Sequence, residues 1–294
     1  MSKLLTANFL RLKKSKLFWI ISAFIAVISY FGLVDAYETN RKLADWHKGM
    51  EDFDFVPTTA LHMLYGLTPI LGLLTAVMIA IFIGTEYHDN TMRNKLICGQ
   101  PRVRVYLANL LTCIFIAVLF YLIPVVITLA VGIPLLGMPH VTTASLLQLF
   151  LFGIIGLLLS AVYASLCTLI GMLVHNRSFS LLAGILLTLS LLICATFCTS
   201  RLDEPEYYSD YVLSMRSDGS QEISASEPIK NPHYLEGNAR QLVQFLYDFL
   251  PGGQAIQISS LDVAHPFLLI LYSLGITGAS TLAGLAFFKK KDLK

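Results

Sequence analysis

The sequence predicts an all-α integral membrane protein with six transmembrane helices. Three observations carry that prediction. Apolar residues fill 55% of the 294 positions and charged residues only 14%, with a mean hydropathy of +0.68. The charges are clustered, so that 70 consecutive residues, Val105 to Val174, contain no Asp, Glu, Lys or Arg. The basic clusters also fall on one side of the predicted spans. A water-soluble fold has no use for such a charge-free run, and disorder, collagen and a disulfide-stapled secreted domain are excluded by the same composition.

Each span follows from the cost of a charge in hydrocarbon. A bilayer core needs about 20 apolar helical residues, and a charge at its centre costs about 3 kcal/mol. Charge-free windows therefore mark the crossings: Leu17 to Val34, Leu61 to Ile83, Tyr106 to Val131, Ser145 to Val174, Ser178 to Thr199 and Pro266 to Phe288. The third and fourth are separated at Gly132, Pro134, Gly137, Pro139 and His140, because Gly and Pro beside a polar residue mark a turn. The first window is longer than the core of a secretory signal and reads as an uncleaved anchor.

Placing the N-terminus in the cytosol puts 14 of the 21 basic residues on the inner side and only Glu86, Asp89 and Asp292 of the 19 acids. That asymmetry satisfies the positive-inside rule, with both termini cytoplasmic.

Ahead of the first span, Leu4, Leu5, Phe9, Leu10 and Leu12 recur at helical spacing among Arg11, Lys13, Lys14 and Lys16. This predicts an amphipathic helix on the inner leaflet, the alternative being a purely topogenic basic tail. The inner loop Gly84 to Ile97 is long enough for two or three helical turns and is closed by Gly99 and Pro101. It reads either as a short helix that presents a side to a partner or as a solvated connector. Outside, Ser200 to His265 holds ten acids and four basic residues. Its first half, through Pro232, is polar and loop-like. In the second, Asn238 is a helix cap and Leu242, Val243, Leu246, Phe249 and Leu250 form one apolar stripe ended by Pro251-Gly252-Gly253. Phe249 to Leu261 is charge-free but too short to cross, as expected of a re-entrant or interfacial segment.

No catalytic motif is present: neither a phosphate-binding Gly-Lys-Ser/Thr loop, nor His-Glu-x-x-His, nor Gly-x-Ser-x-Gly. The seven histidines, 47, 62, 88, 140, 175, 233 and 265, lack ligand spacing, and Cys98, Cys113, Cys167, Cys194 and Cys198 form no disulfide framework. The predicted spans hold no Asp, Glu, Lys or Arg, which disfavours ion-coupled transport. Small residues at Gly275, Ala279 and Ala283, and at Ala161 and Ser165, permit close helix contact, within the chain or between two copies.

The inner loop Glu86-Tyr-His-Asp-Asn-Thr-Met-Arg-Asn-Lys-Leu-Ile, with Gln-Pro-Arg102 and Tyr106 beyond it, resembles the loop after the second span of type-2 ABC transporter permeases. The ending Phe287-Phe288-Lys-Lys-Lys-Asp292-Leu293-Lys294 and the segment Leu250-Pro-Gly-Gly-Gln-Ala-Ile256 are similar to segments of that family as well.

The resemblance implies one permease domain over 1–294: a connecting helix at 1–16, five helices over 17–199, the extracellular segment 200–265, the sixth helix 266–288 and a basic cytosolic tail 289–294. It implies a second permease subunit, as a homodimer, and two cytosolic ABC ATPase subunits that bind ATP and Mg. This chain would then be a non-catalytic subunit in a bacterial cell membrane, in contact with lipid and binding neither cofactor nor nucleic acid. The loop after span two becomes the coupling helix, with Glu86, Tyr87, Asn90, Thr91, Arg93, Asn94, Lys95 and Leu96 as ATPase contacts. Spans two and five line the path, where Tyr65, Thr68, Met78, Phe82, Thr188, Ser190 and Thr196 are neutral groups. Such a path suits hydrophobic or amphipathic cargo, peptides such as bacteriocins or toxins first. The alternative is a secondary transporter or channel for small hydrophobic molecules or lipids.

Overall fold

A computed structural model describes the whole chain except residues 48–56, 138–142, 175, 209–210, 216–220, 226–227 and 291–294. The predicted turn residues Pro139 and His140, together with His175 and the end of the basic tail, lie outside the described residues. In chain order the elements begin with helices α1 (Ser2–Lys14), α2 (Lys16–His47), α3 (Ala60–Leu64), α4 (Thr68–His88), α5 (Thr91–Ile97) and α6 (Arg102–Ile127). A π-helical turn, Thr128–Gly132, leads into α7 (Ile133–Leu136), followed by α8 (Thr143–Leu173) and α9 (Arg177–Leu202). Four short strands then precede the last helices: β1 (Tyr207–Tyr208), β2 (Tyr211–Met215), β3 (Gln221–Ala225) and β4 (Ile229–Lys230). The chain ends in α10 (Gly237–Phe249), α11 (Pro251–Ser260) and α12 (Pro266–Lys290).

Six helical stretches are long and apolar enough to cross a membrane, at the six places the hydropathy marks. Their ends differ from the charge-free windows for a physical reason: a charge ends the greasy part of a helix, not its hydrogen-bond ladder. Thus α2 runs thirteen residues past Val34, with Glu38 and Lys42 paired at 3.5 Å on its exposed surface. The second crossing breaks at Tyr65-Gly66-Leu67 and restarts in α4 with Pro69 in its first turn. It then continues through Glu86 to His88, so an ionisable side chain does sit on a crossing helix.

Gly132 and Pro134 do not turn the chain. The helix passes through both, with a π-helical turn absorbing the register next to Pro124, and the backbone turns at Gly137, where φ is +76°. On the acidic side, residues read as loop form a nested ladder, β1 pairing with β4 and β2 with β3, both antiparallel. The cap of α10 is Glu236 rather than Asn238.

Helices α4, α6 and α8 form the centre, with α9 packed on α4 and α12 on α8; α2 is joined to the edge through α6. Close approach is set by tyrosines laid on glycines: the Tyr121 ring lies on Gly156 and the Tyr106 hydroxyl on Gly284. The buried ridge of α12 is Ser273, Ser280 and Gly284, and Ser280 donates to Ser165 Oγ of α8 at 2.8 Å. Gly275 and Ala279 lie on the exposed side of α12, away from this ridge. Helix α11 is buried against α9, α8 and α4, as the re-entrant reading requires of a helix too short to cross.

Candidate functional site

At the basic end of the bundle, where α1 and the last turn of α12 both lie, the chain encloses a carboxylate. Glu86 in the final turn of α4 is 0% exposed. Its Oε1 receives two cations from different elements, Arg11 of α1 and Lys95 of α5. Its Oε2 accepts from Asn109 Nδ2 of α6 at 2.8 Å. Four helices are thereby pinned to one side chain.

The surrounding polar groups complete the arrangement. Lys95 Nζ also donates to Asn8 Oδ1 at 3.0 Å, and Asn8 Nδ2 donates to Asn109 Oδ1 at 2.6 Å. Arg11 Nη2 donates to the Phe82 carbonyl at 3.2 Å, and its guanidinium lies 3.8 Å from the centre of the Phe82 ring. A buried carboxylate survives only when paired and hydrogen-bonded, and here both oxygens are served.

Local sequence explains how α5 reaches this place. Asn90 takes the left-handed conformation, φ +55°, which turns the chain sharply out of α4. Asn is among the few residues that accept it cheaply. The hydroxyl of Thr91 then donates back to the Glu86 carbonyl at 3.2 Å. At the other end Gly99, φ +77°, closes a Schellman motif: its N–H donates to the Leu96 carbonyl and that of Gln100 to the Lys95 carbonyl. Pro101 caps α6, and Arg102 Nη1 donates to the Lys289 carbonyl at 2.9 Å, closing the end of α12.

Two faces of α5 result. Met92 is buried and Lys95 bound inward, while Asn90, Arg93 and Asn94 are exposed and Ile97 presents 72% of its surface. Of the eight residues predicted to touch a partner, Glu86 is corrected: with no exposed surface it can only act inside the chain. Tyr87 also points inward in part, its hydroxyl donating to the Met172 carbonyl of α8 at 3.0 Å. Thr91, Lys95 and Leu96 are half-buried, which leaves Asn90, Arg93 and Asn94 as an outward surface. The sequence reading missed Ile97, although a lone exposed apolar residue four positions after Arg93 on a short polar helix was its signal. It also missed Asn8, Arg11 and Asn109, because their convergence is purely tertiary.

The seven predicted path residues do not share a surface. Tyr65, Thr68, Met78, Phe82 and Thr188 are buried within the bundle. Tyr65 donates to the Leu149 carbonyl, and Phe82 lies beneath Arg11. Ser190 and Thr196 are exposed on α9, each donating to the carbonyl four residues earlier. Only those two are placed where a molecule outside the bundle meets them.

Six apolar crossings define a multi-pass membrane protein, with a polar cluster around Glu86 at one end of the bundle. Residues 4–195 match the model of the ABC-2 family transporter protein family, which is well over half of the chain. The chain therefore belongs to that family, the type-2 ABC transporter permeases, membrane subunits that work with ABC ATPase subunits. No curated protein matches the chain.

Proposed function

We propose that this permease is the membrane subunit of an ATP-driven exporter in a bacterial cell membrane, with the basic end and both termini in the cytoplasm. Two copies pair as a homodimer within the lipid bilayer, and each docks a cytosolic ATPase on the outward face of α5. ATP and Mg are bound on that ATPase. The cargo is hydrophobic or amphipathic, with peptides such as bacteriocins or toxins the preferred class. Ser190 and Thr196, exposed on α9, remain the path residues of this reading.

One observation carries it: α5 offers Arg93, Asn94 and Ile97 outward while its Lys95 is bound to the carboxylate that also holds α1, α4 and α6. A push on α5 cannot be absorbed locally. It displaces a charged group whose partners sit on three other helices, so α1 and the inner ends of α4 and α6 move with it. ATP-driven closure of the ATPases would bias one arrangement of the spans over another.

Ile97→Asp and Arg93→Glu test the docking face. Both positions are exposed, so stability should change by less than about 0.5 kcal/mol. Stimulation of the co-purified ATPase should fall about tenfold or more, as for loss of an interface anchor. Normal stimulation in both variants would refute docking at α5. The orientation has its own check. Cys98 is exposed beside α5, and a membrane-impermeant maleimide should label it only after cells are opened.

A further inference from the structure

At the acidic end the amphipathic helix α10 sits inside out. Leu242, Phe245, Leu246 and Phe249 are exposed, whereas Gln244 and Asp248 turn toward the protein. Asp248 is 5% exposed. Its Oδ1 accepts from Gln244 Nε2 at 3.1 Å and from Gln257 Nε2 at 2.9 Å, all neutral donors. Among the described residues no hydrogen bond reaches Oδ2 and no basic group lies within ion-pair distance of the carboxylate. A buried charge without a counter-charge is costly, and the two amides offset only part of that cost.

The carboxylate lines an open recess of about 570 Å³ between α10 and α12, walled by Arg240, Gln244, Phe245, Leu268 and Tyr272. Tyr272 meets Phe245 edge-on at 6.0 Å and Phe249 at 5.6 Å. Arg240 is only partly engaged elsewhere: its Nη2 donates to the Leu202 carbonyl at the end of α9 and its guanidinium lies over the Tyr234 ring, while its buried Nη1 has no hydrogen-bond partner among the described residues. Across α10, burial first and then the charges of Asp203, Asp262 and Asp248 hold the Tyr247 phenol above its usual value. Asp248 is the carboxylate in the wall of this recess, whereas Asp203 and Asp262 line a neighbouring one.

We propose that this recess is a binding site for an organic cation, an ammonium or guanidinium group on an amphipathic molecule, held by Asp248 and the Phe245–Tyr272 wall. An unneutralised carboxylate beside aromatic rings is the chemistry that selects such a group over a neutral one. The apolar remainder of the ligand lies along the exposed face of α10. In the exporter reading, on which only the identity of the natural ligand rests, the cargo is a cationic amphipath such as a lysine-bearing peptide.

The test uses the full chain in nanodiscs without ATPase, with dansyl-labelled dodecylammonium and its neutral dodecyl alcohol counterpart as probes. The ammonium probe should bind about tenfold tighter than the neutral one, and Asp248→Asn should abolish that preference while leaving the neutral probe unaffected. Phe245→Leu and Tyr272→Leu leave the carboxylate and its amides in place and should each lower the preference about threefold. Should Asp248→Asn fail to fold, those two variants decide. Equal binding of the two probes to the unmodified protein, or a full preference retained in the variants, would overturn the site. In a second preparation, proteoliposomes carrying the permease with its co-purified ATPase, absence of ATP-dependent transport of the ammonium probe would leave the site standing and count against the exporter reading alone.

Discussion

Replacing Glu86 with alanine is expected to be among the most damaging single changes outside the apolar core. Removal of the side chain leaves Arg11 and Lys95 facing each other with no anion between them, and it strips Asn109 Nδ2 of its acceptor. Breaking a buried pair from one side costs about 3–5 kcal/mol. The Arg11 side chain is 30% exposed and Lys95 16%, so water recovers part of their solvation and the lower end of that range applies. Thermal unfolding of the detergent-purified protein should show a loss of about 3 kcal/mol. Glu86→Gln keeps the shape and one acceptor, and should therefore fold better while still loosening α1 and α5 from α4. Its signature is a protein of near-normal yield whose ATPase partner binds but is no longer stimulated. A Glu86→Ala protein within about 0.5 kcal/mol of the parent would mean that the carboxylate does not hold the lever.

A comparable loss is expected from the smallest possible addition at Gly252. A Cβ there would fall far inside contact distance of the Leu191 carbonyl oxygen, with the Leu191 carbonyl carbon and the Leu192 nitrogen close behind. All three are main-chain atoms of α9, so no rotamer change relieves the overlap. Helix α11 must withdraw from α9 altogether. Gly252→Ala should cost about 3 kcal/mol or more, at the upper end of overpacking. Gly275→Ala is the matched control. Nothing lies within 4 Å of a Cβ at Gly275, and alanine is favoured over glycine within a helix by about 0.8–1 kcal/mol. Unfolding curves of the two variants should move in opposite directions, and a neutral Gly252→Ala would place α11 farther from α9 than the structure has it.

The six crossings were legible in the sequence because the hydrocarbon penalty on charge is local and needs no knowledge of neighbours. Where each helix ends was not. Val34 and Ile83 end the first two apolar windows, but α2 and α4 run on beyond them because a helix in water or against protein tolerates charge. The short helix after the second crossing was foreseen from its stop signals. Which way its residues face was not, since the burial of Glu86 depends on Arg11, 75 positions earlier in the chain. The same limit applies to α10. Periodicity located the stripe of Leu242, Val243, Leu246, Phe249 and Leu250, but a stripe on a membrane-edge helix turns toward lipid as readily as toward protein. For the path residues, helix membership was readable and helix rotation was not, so five of the seven point into the bundle.

The partners of Glu86 also bear on how the protein is made. Asn8, Arg11, Glu86, Lys95 and Asn109 all lie in the first 109 residues of the chain, so the lever can assemble while the ribosome is still translating α8 and everything after it. Arg102, by contrast, waits for the carbonyls of Phe288 and Lys289 until the final helix has been inserted. Biogenesis thus has a built-in order, in which the cluster around Glu86 matures first and the bundle is latched last.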